Sequence, residues 1–147
     1  MRKLMPTSYF LFLLLLLILF HFTLPIVRFD YSPYNYLGVV LIIFGSGINL
    51  WADNLMKKWE TTVKPHLKPS TLITSGPFGF TRHPMYLGML SILLGSAVIA
   101  GSLVTFVFPV LYIILMEILF IPMEENNLEK AFSNEYLEYK RKVRRWV

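Results

Sequence analysis

The stretch PMYLGMLSILLGSAVIAGSLVTFVFPVLYIILMEILFIP, residues 84–122, decides the fold. Between Pro84 and Pro122 the only formal charge is Glu117. A single straight helix over this stretch would be roughly 58 Å long, about twice the thickness of a bilayer's hydrocarbon core. It must therefore fold back on itself. The break is expected at Ala100-Gly101-Ser102, where glycine permits a tight connection, leaving spans of approximately 84–99 and 103–121.

Two further apolar stretches precede this hairpin. Leu4 to Val27 contains no Lys, Arg, Asp or Glu and gives a span at approximately 8–27. It is too long for a secretory signal, and no small-residue cleavage site follows before Pro25. A second span covers approximately 34–52, with Tyr31, Tyr34, Tyr36 and Trp51 as interface anchors, and ends at Asp53. The composition agrees: of 147 residues 55% are hydrophobic and 16% charged, the mean hydropathy is +0.55, and there is no cysteine. Disulfides and thiolate metal sites are thereby excluded. The fold expected is all-α, a polytopic membrane protein of one domain, 1–147, with about four transmembrane helices and a cytoplasmic helical C-terminal tail.

Orientation follows from the positive charges, which cytoplasmic loops retain. Arg2 and Lys3 precede the first span; Lys57, Lys58, Lys64, Lys68 and Arg82 lie between the second and third; Lys130, Lys140, Arg141, Lys142, Arg144 and Arg145 follow the fourth, and Arg28 alone stands on the other side. Both termini are thus expected in the cytoplasm, together with the polar segments 57–83 and 122–147. The net charge of +5 suits anionic lipid headgroups. Nucleic acid is a poor reading, because no recognition fold accompanies the charge.

Two constellations lie on that side. The first is Gly76-Pro77-Phe78-Gly79-Phe80-Thr81-Arg82-His83-Pro84-Met85-Tyr86-Leu87-Gly88. Pro84 fits the first turn of a helix and makes His83 its N-cap. The free N–H groups of that turn and the Arg82 guanidinium form an end suited to carboxylate or phosphate. Tyr86, three residues on, shares a face with His83. Equally, the segment could be a membrane boundary where Arg82 snorkels while His83 and Tyr86 anchor. The second constellation is Glu124-Glu125, which could be the solvated start of a cytoplasmic helix or the negative end of a site for a zwitterionic cofactor. The basic, aromatic segment with Tyr136, Tyr139 and Trp146 could lie on headgroups or close over a cofactor.

Within the spans, Glu117 is a functional candidate because an acid there is costly, although about one turn from the end it could also snorkel. His21 and Asn49 read as packing or helix-to-helix hydrogen bonds, and Gly45-Ser46-Gly47 as a close helix contact.

Together these features resemble the isoprenylcysteine carboxyl methyltransferase and phospholipid methyltransferase superfamily, over roughly Lys57 to Val147. The resemblance rests on Thr61-Thr62-Val63-Lys64-Pro65 with Leu72-Ile73-Thr74-Ser75-Gly76-Pro77-Phe78, on Arg82-His83-Pro84-Met85-Tyr86-Leu87-Gly88, and on Glu124-Glu125 followed by Phe132 and Glu135-Tyr136-Leu137-Glu138-Tyr139-Lys140. It implies S-adenosylmethionine as cofactor and methyl transfer to a lipidic acceptor arriving from the bilayer. His83, Pro84, Tyr86, Leu87, Gly88, Glu124 and Glu125 would line the cofactor site, and Arg82, His83, Glu125 and Glu117 would carry the chemistry. No metal is needed. Carboxyl-methylating relatives have an arginine in the helix before the acidic pair. Here nothing between Arg82 and Lys130 is Lys or Arg, which favours an amine or another lipid nucleophile over an isoprenylcysteine carboxylate, with Glu117 a candidate for acceptor binding. A protein this small can dimerise to complete a lipid pocket. Two other functions compete: a membrane reductase of the sterol-reductase type using NADPH, disfavoured because Glu124-Glu125 is acidic where several phosphates would bind, and a non-catalytic membrane anchor or partner protein.

Overall fold

The computed structural model describes residues 5–24, 27, 33, 35–61 and 69–147. Arg2, Lys3, Pro25, Arg28, Tyr31, Tyr34, Lys64, Lys68 and the Thr62-Val63-Lys64-Pro65 part of the family-like segment lie outside the described residues. Every regular element among those described is helical: α1 Pro6–Thr23, α2 Asn35–Lys58, α3 Pro84–Ala100, α4 Val107–Leu115 and α5 Ile121–Lys142.

The fold-back falls where glycine was expected to allow it. Gly101 ends α3 with φ +59°, the left-handed region that costs a glycine nothing, and its N–H donates to the carbonyls of Ala97 and Val98. A 3-10 turn, Leu103–Phe106, then leads into α4. The Thr105 hydroxyl donates to the Ser102 carbonyl at 2.6 Å, which satisfies part of the corner.

Beyond α4 the helix continues past residue 121, where the fourth span was expected to end. A π turn, Met116–Phe120, joins α4 to α5, so that the helix runs on past Pro122 as far as a kink at Ser133. Pro122 would ordinarily break such a helix by removing an N–H and crowding the carbonyl four residues back. The wider π turn stands at that point, a usual accommodation for such a distortion. The backbone departs from helical geometry once more, at Ser133, where φ is +45°.

Among the described residues three stretches are long and apolar enough to cross a membrane, Pro6–Thr23, Asn35–Lys58 and Leu103–Lys142; α3 is apolar but shorter. With no water in the bilayer core to satisfy the backbone, helices are the form such sequences must take. Uniformly apolar α1 turns Phe10, Leu13 and Leu17 inward, where Phe10 meets Tyr112 and Phe20 meets Phe108 edge to face. Leu11, Phe12, Leu15 and Phe22 stay exposed on its outer side, as lipid contact requires.

The closest helix contact is between α2 and α3. A Cβ on Gly38 would stand 2.5 Å from the Gly95 carbonyl oxygen, and one on Gly45 would come as near to that of Gly88. Small residues let the two backbones approach in lipid, where hydrophobic driving force is absent. Gly45 thus bears out the close contact read from Gly45-Ser46-Gly47, while Gly47 faces open space. Asn49 packs in the same seam against Gly88.

Candidate functional site

A cavity of about 170 Å³ opens at one end of the bundle. Its walls come from Met5 and Pro6 at the start of α1, Met56 near the end of α2, Leu72 and Ile73 in the following loop, the start of α3, and α5. The helices therefore alternate in direction, since beginnings of α1 and α3 meet the end of α2 and the continuation of α4. Most of the lining is apolar. The polar exceptions are chiefly Arg82, His83, Tyr86, Glu124, Asn127 and Tyr139.

His83 is the N-cap of α3 and Pro84 occupies its first turn. The His83 carbonyl accepts from the N–H groups of Tyr86 and Leu87, both at 3.1 Å, and its own N–H donates to the Thr81 hydroxyl at 3.3 Å. The His83 and Tyr86 rings stack with centroids 5.5 Å apart, as their three-residue spacing leads one to expect. The Tyr86 hydroxyl donates to Glu124, whose other oxygen lies 3.3 Å from His83 Nδ1.

Glu125 is not a solvated helix-start carboxylate. It is 5% exposed and surrounded by cations: Arg145 Nε and Nη2 donate to its two oxygens at 3.1 and 2.8 Å, Arg82 Nη1 is 3.2 Å away, and His83 Nε2 and Lys140 Nζ lie at 3.5 and 3.9 Å. The adjacent acids thus differ. Glu124 faces the cavity; Glu125 sits behind it, holding the wall together.

Burial alone would push Glu125 upward, but the hydrogen bonds from His83 and Arg145 and the charges of Arg82 and Arg145 outweigh it and lower its pKa from 4.5 to about 2. Burial acts on His83 in the opposite sense, disfavouring its charge, yet the hydrogen bonds and charges of Glu124 and Glu125 prevail and raise it above 6.5. A depressed carboxylate stabilises the fold above its ordinary value, and that contribution is lost as pH falls from 4.5 towards 2. A raised histidine stabilises fully below 6.5 and loses its contribution as pH climbs through the raised value. Thermal midpoints in detergent should accordingly decline as pH rises above about 6.5, and His83→Gln should flatten that decline. A wild-type midpoint indifferent to pH on that side would show that His83 is not held as a cation.

Of the residues singled out from the sequence, Arg82, His83, Pro84, Tyr86 and Glu124 line the cavity. Leu87, Gly88, Glu125 and Glu117 do not. Gly88 is turned to α2, where a Cβ would collide with Asn49 and the Gly45 carbonyl, so its small size serves helix packing. Both oxygens of Glu117 are engaged, one by Arg145 Nη1 at 2.8 Å and the other by Trp146 Nε1 at 2.6 Å. The tail closes over this end of the bundle: Tyr136 and Tyr139 are buried, and the Tyr139 hydroxyl donates to the Phe78 carbonyl at 2.7 Å. Sequence reasoning marked the tail as basic and aromatic but gave Arg145 no role, since its four basic neighbours from Lys140 to Arg144 look alike until the chain is folded.

The residues present fit a zwitterionic ligand. Arg82 and His83, whose side chains are 9% and 5% exposed, stand beside the Glu124 carboxylate in the cavity lining. The positive charge at Arg82 and the start of α3 suits a ligand carboxylate, and Glu124 suits a cationic end.

An uncharacterised protein of Haemophilus influenzae (strain ATCC 51907 / DSM 11121 / KW20 / Rd) is 38% identical over 63 residues, which is 43% of this chain and the whole of that protein. No solved structure matches. The family model for phospholipid methyltransferases matches residues 34–135, which is more than half of the chain and contains the Arg82-His83-Pro84 helix start, the hairpin and the acidic pair. The chain belongs to the phospholipid methyltransferase family, and is an integral membrane methyltransferase.

Proposed function

We propose that the protein transfers a methyl group from S-adenosylmethionine to the amine of a lipid at the cytoplasmic face, with four membrane crossings and both termini in the cytoplasm. The observation that carries this reading is a largely apolar cavity whose lining brings the cationic Arg82 and His83 together with the Glu124 carboxylate, within a chain of this family. When bound, S-adenosylmethionine supplies a sulfonium methyl for in-line displacement. The protein's share is alignment and desolvation.

Arg82 and the N-terminal turn of α3 hold the donor's carboxylate, and Glu124, steadied by Tyr86 and His83, takes its ammonium or ribose hydroxyls. The apolar lining from Met5, Met56, Leu72 and Met89 admits acyl chains. At about 26 Å, α3 is a little short for a bilayer core, a mismatch that local thinning accommodates at small cost. Support for the orientation comes from Lys57, Lys58, Arg82 and the tail cations flanking the helix ends that meet at the cavity.

The test is methyl transfer from labelled S-adenosylmethionine in proteoliposomes containing phosphatidylethanolamine, with prenylated cysteine offered in parallel. Label in the amine headgroup is the expected result. Label only in prenylcysteine ester would replace the acceptor, and label in neither would remove both acceptors.

A further inference from the structure

The last residues, 143–147, form a strap laid across the site, beyond the part of the chain that the family model matches. The Arg82 N–H donates to the Arg144 carbonyl at 3.0 Å, and the Thr81 hydroxyl donates to the Arg145 carbonyl at 3.1 Å. From this strap one guanidinium reaches two carboxylates: Arg145 grips Glu125 with Nε and Nη2 and Glu117 with Nη1. Trp146 binds the other Glu117 oxygen and packs against the helix core. Neither Glu117, Glu125, Arg145 nor Trp146 lines the cavity.

We propose that Arg145 is a positioning residue for the donor site, latched to the membrane span through Glu117. Glu125 is the common acceptor for Arg82, His83 and Arg145. A planar fork that occupies both of its oxygens fixes that carboxylate in one orientation, which lysine cannot do. So held, Glu125 stands 3.2 Å from Arg82 Nη1 and 3.5 Å from His83 Nε2 and fixes where these two cavity-lining residues sit. Without the fork, Glu125 is free to turn, and Arg82 and His83 lose the fixed partner that sets their place in the cavity wall. Glu117 anchors the third edge of the fork; its work is to hold the strap rather than to meet the acceptor. The proposal rests on the cavity being the methyl-donor site.

The test measures S-adenosylmethionine affinity in Arg145→Ala, Arg145→Lys and Glu117→Gln. A second readout is Trp146 emission in a Trp51→Phe, Trp59→Phe background. The expected result is at least a 10-fold loss of affinity in both Arg145 variants, a smaller loss in Glu117→Gln, a red shift of Trp146 in Arg145→Ala and Glu117→Gln, and recovery of affinity in Arg145→Ala on adding methylguanidinium. Unchanged affinity in Arg145→Ala while the wild type binds would overturn the proposal and leave the donor site standing. Unchanged affinity in Arg145→Lys would overturn it as well, since a point charge would then suffice. Failure of the wild type to bind S-adenosylmethionine would remove the donor site itself, and this proposal with it. Misfolding of Arg145→Ala is detected by the lack of rescue, and Glu117→Gln then decides, an unchanged Trp146 emission counting against the latch.

Discussion

Glu125→Ala is expected to destabilise the protein by about 3–5 kcal/mol, the usual cost of removing one partner from a buried charge cluster. The magnitude follows from what remains. Arg82, His83, Arg145 and Lys140 all lie within 4 Å of this one carboxylate, and with it gone Arg82 and His83 are left buried without their shared counter-charge, while Arg145 and Lys140, 37% and 38% exposed, keep contact with water. Arg82, its side chain 9% exposed, cannot move out to be solvated without unpacking the start of α3. Glu124→Ala should cost clearly less, because that side chain is 18% exposed and its hydrogen bond and ion pair run to Tyr86 and His83 rather than to an arginine. Chemical unfolding in detergent measures both; equal losses, or a loss below about 1 kcal/mol for Glu125→Ala, would contradict the division between the two acids.

The second large effect lies at the α2–α3 seam and tests two glycines two residues apart. Gly45→Ala introduces a Cβ 2.4 Å from the Gly88 carbonyl oxygen. That atom is backbone, so the helices themselves must separate, and overpacking of this kind costs about 1–3 kcal/mol. Gly47→Ala meets nothing within 4 Å and should be neutral or stabilising by up to about 1 kcal/mol through helix propensity. Because α3 carries His83 and Tyr86 into the cavity, Gly45→Ala should also weaken ligand binding, whereas Gly47→Ala should not. Like responses at both positions would mean that α2 and α3 are not in backbone contact.

What could be read from the sequence was what local chemistry dictates. Gly101 had to mark the fold-back, because the apolar stretch is too long to cross once and only glycine takes a positive φ freely. His83 had to cap α3, because Pro84 cannot sit deeper in a helix. The unbroken course of the helix past Pro122 was not legible: a π turn is a response to strain and has no local signature in Met116-Glu117-Ile118-Leu119-Phe120. Nor could Glu124 and Glu125 be told apart, since neighbours on a helix point about 100° away from each other and only the packed structure shows which of the two meets Arg82 and Arg145. Gly88 belonged to the signature read as cofactor-lining, yet its neighbours are Asn49 and Gly45. The partner helix that requires its small size lies some forty residues earlier in the chain.

The most direct test of the central claim, that the start of α3 and Glu124 form a methyl-donor site, is thermal unfolding of the detergent-purified protein titrated with S-adenosylmethionine and, separately, with NADPH. A ligand that binds only the folded state adds about 2.7 kcal/mol at about 100 times its dissociation constant. Saturable stabilisation by S-adenosylmethionine is expected, lost in Arg82→Lys and reduced at least about tenfold in affinity by Glu124→Gln, in keeping with the loss of a charge-assisted hydrogen bond, with no response to NADPH. Stabilisation by NADPH and none by S-adenosylmethionine would contradict the account.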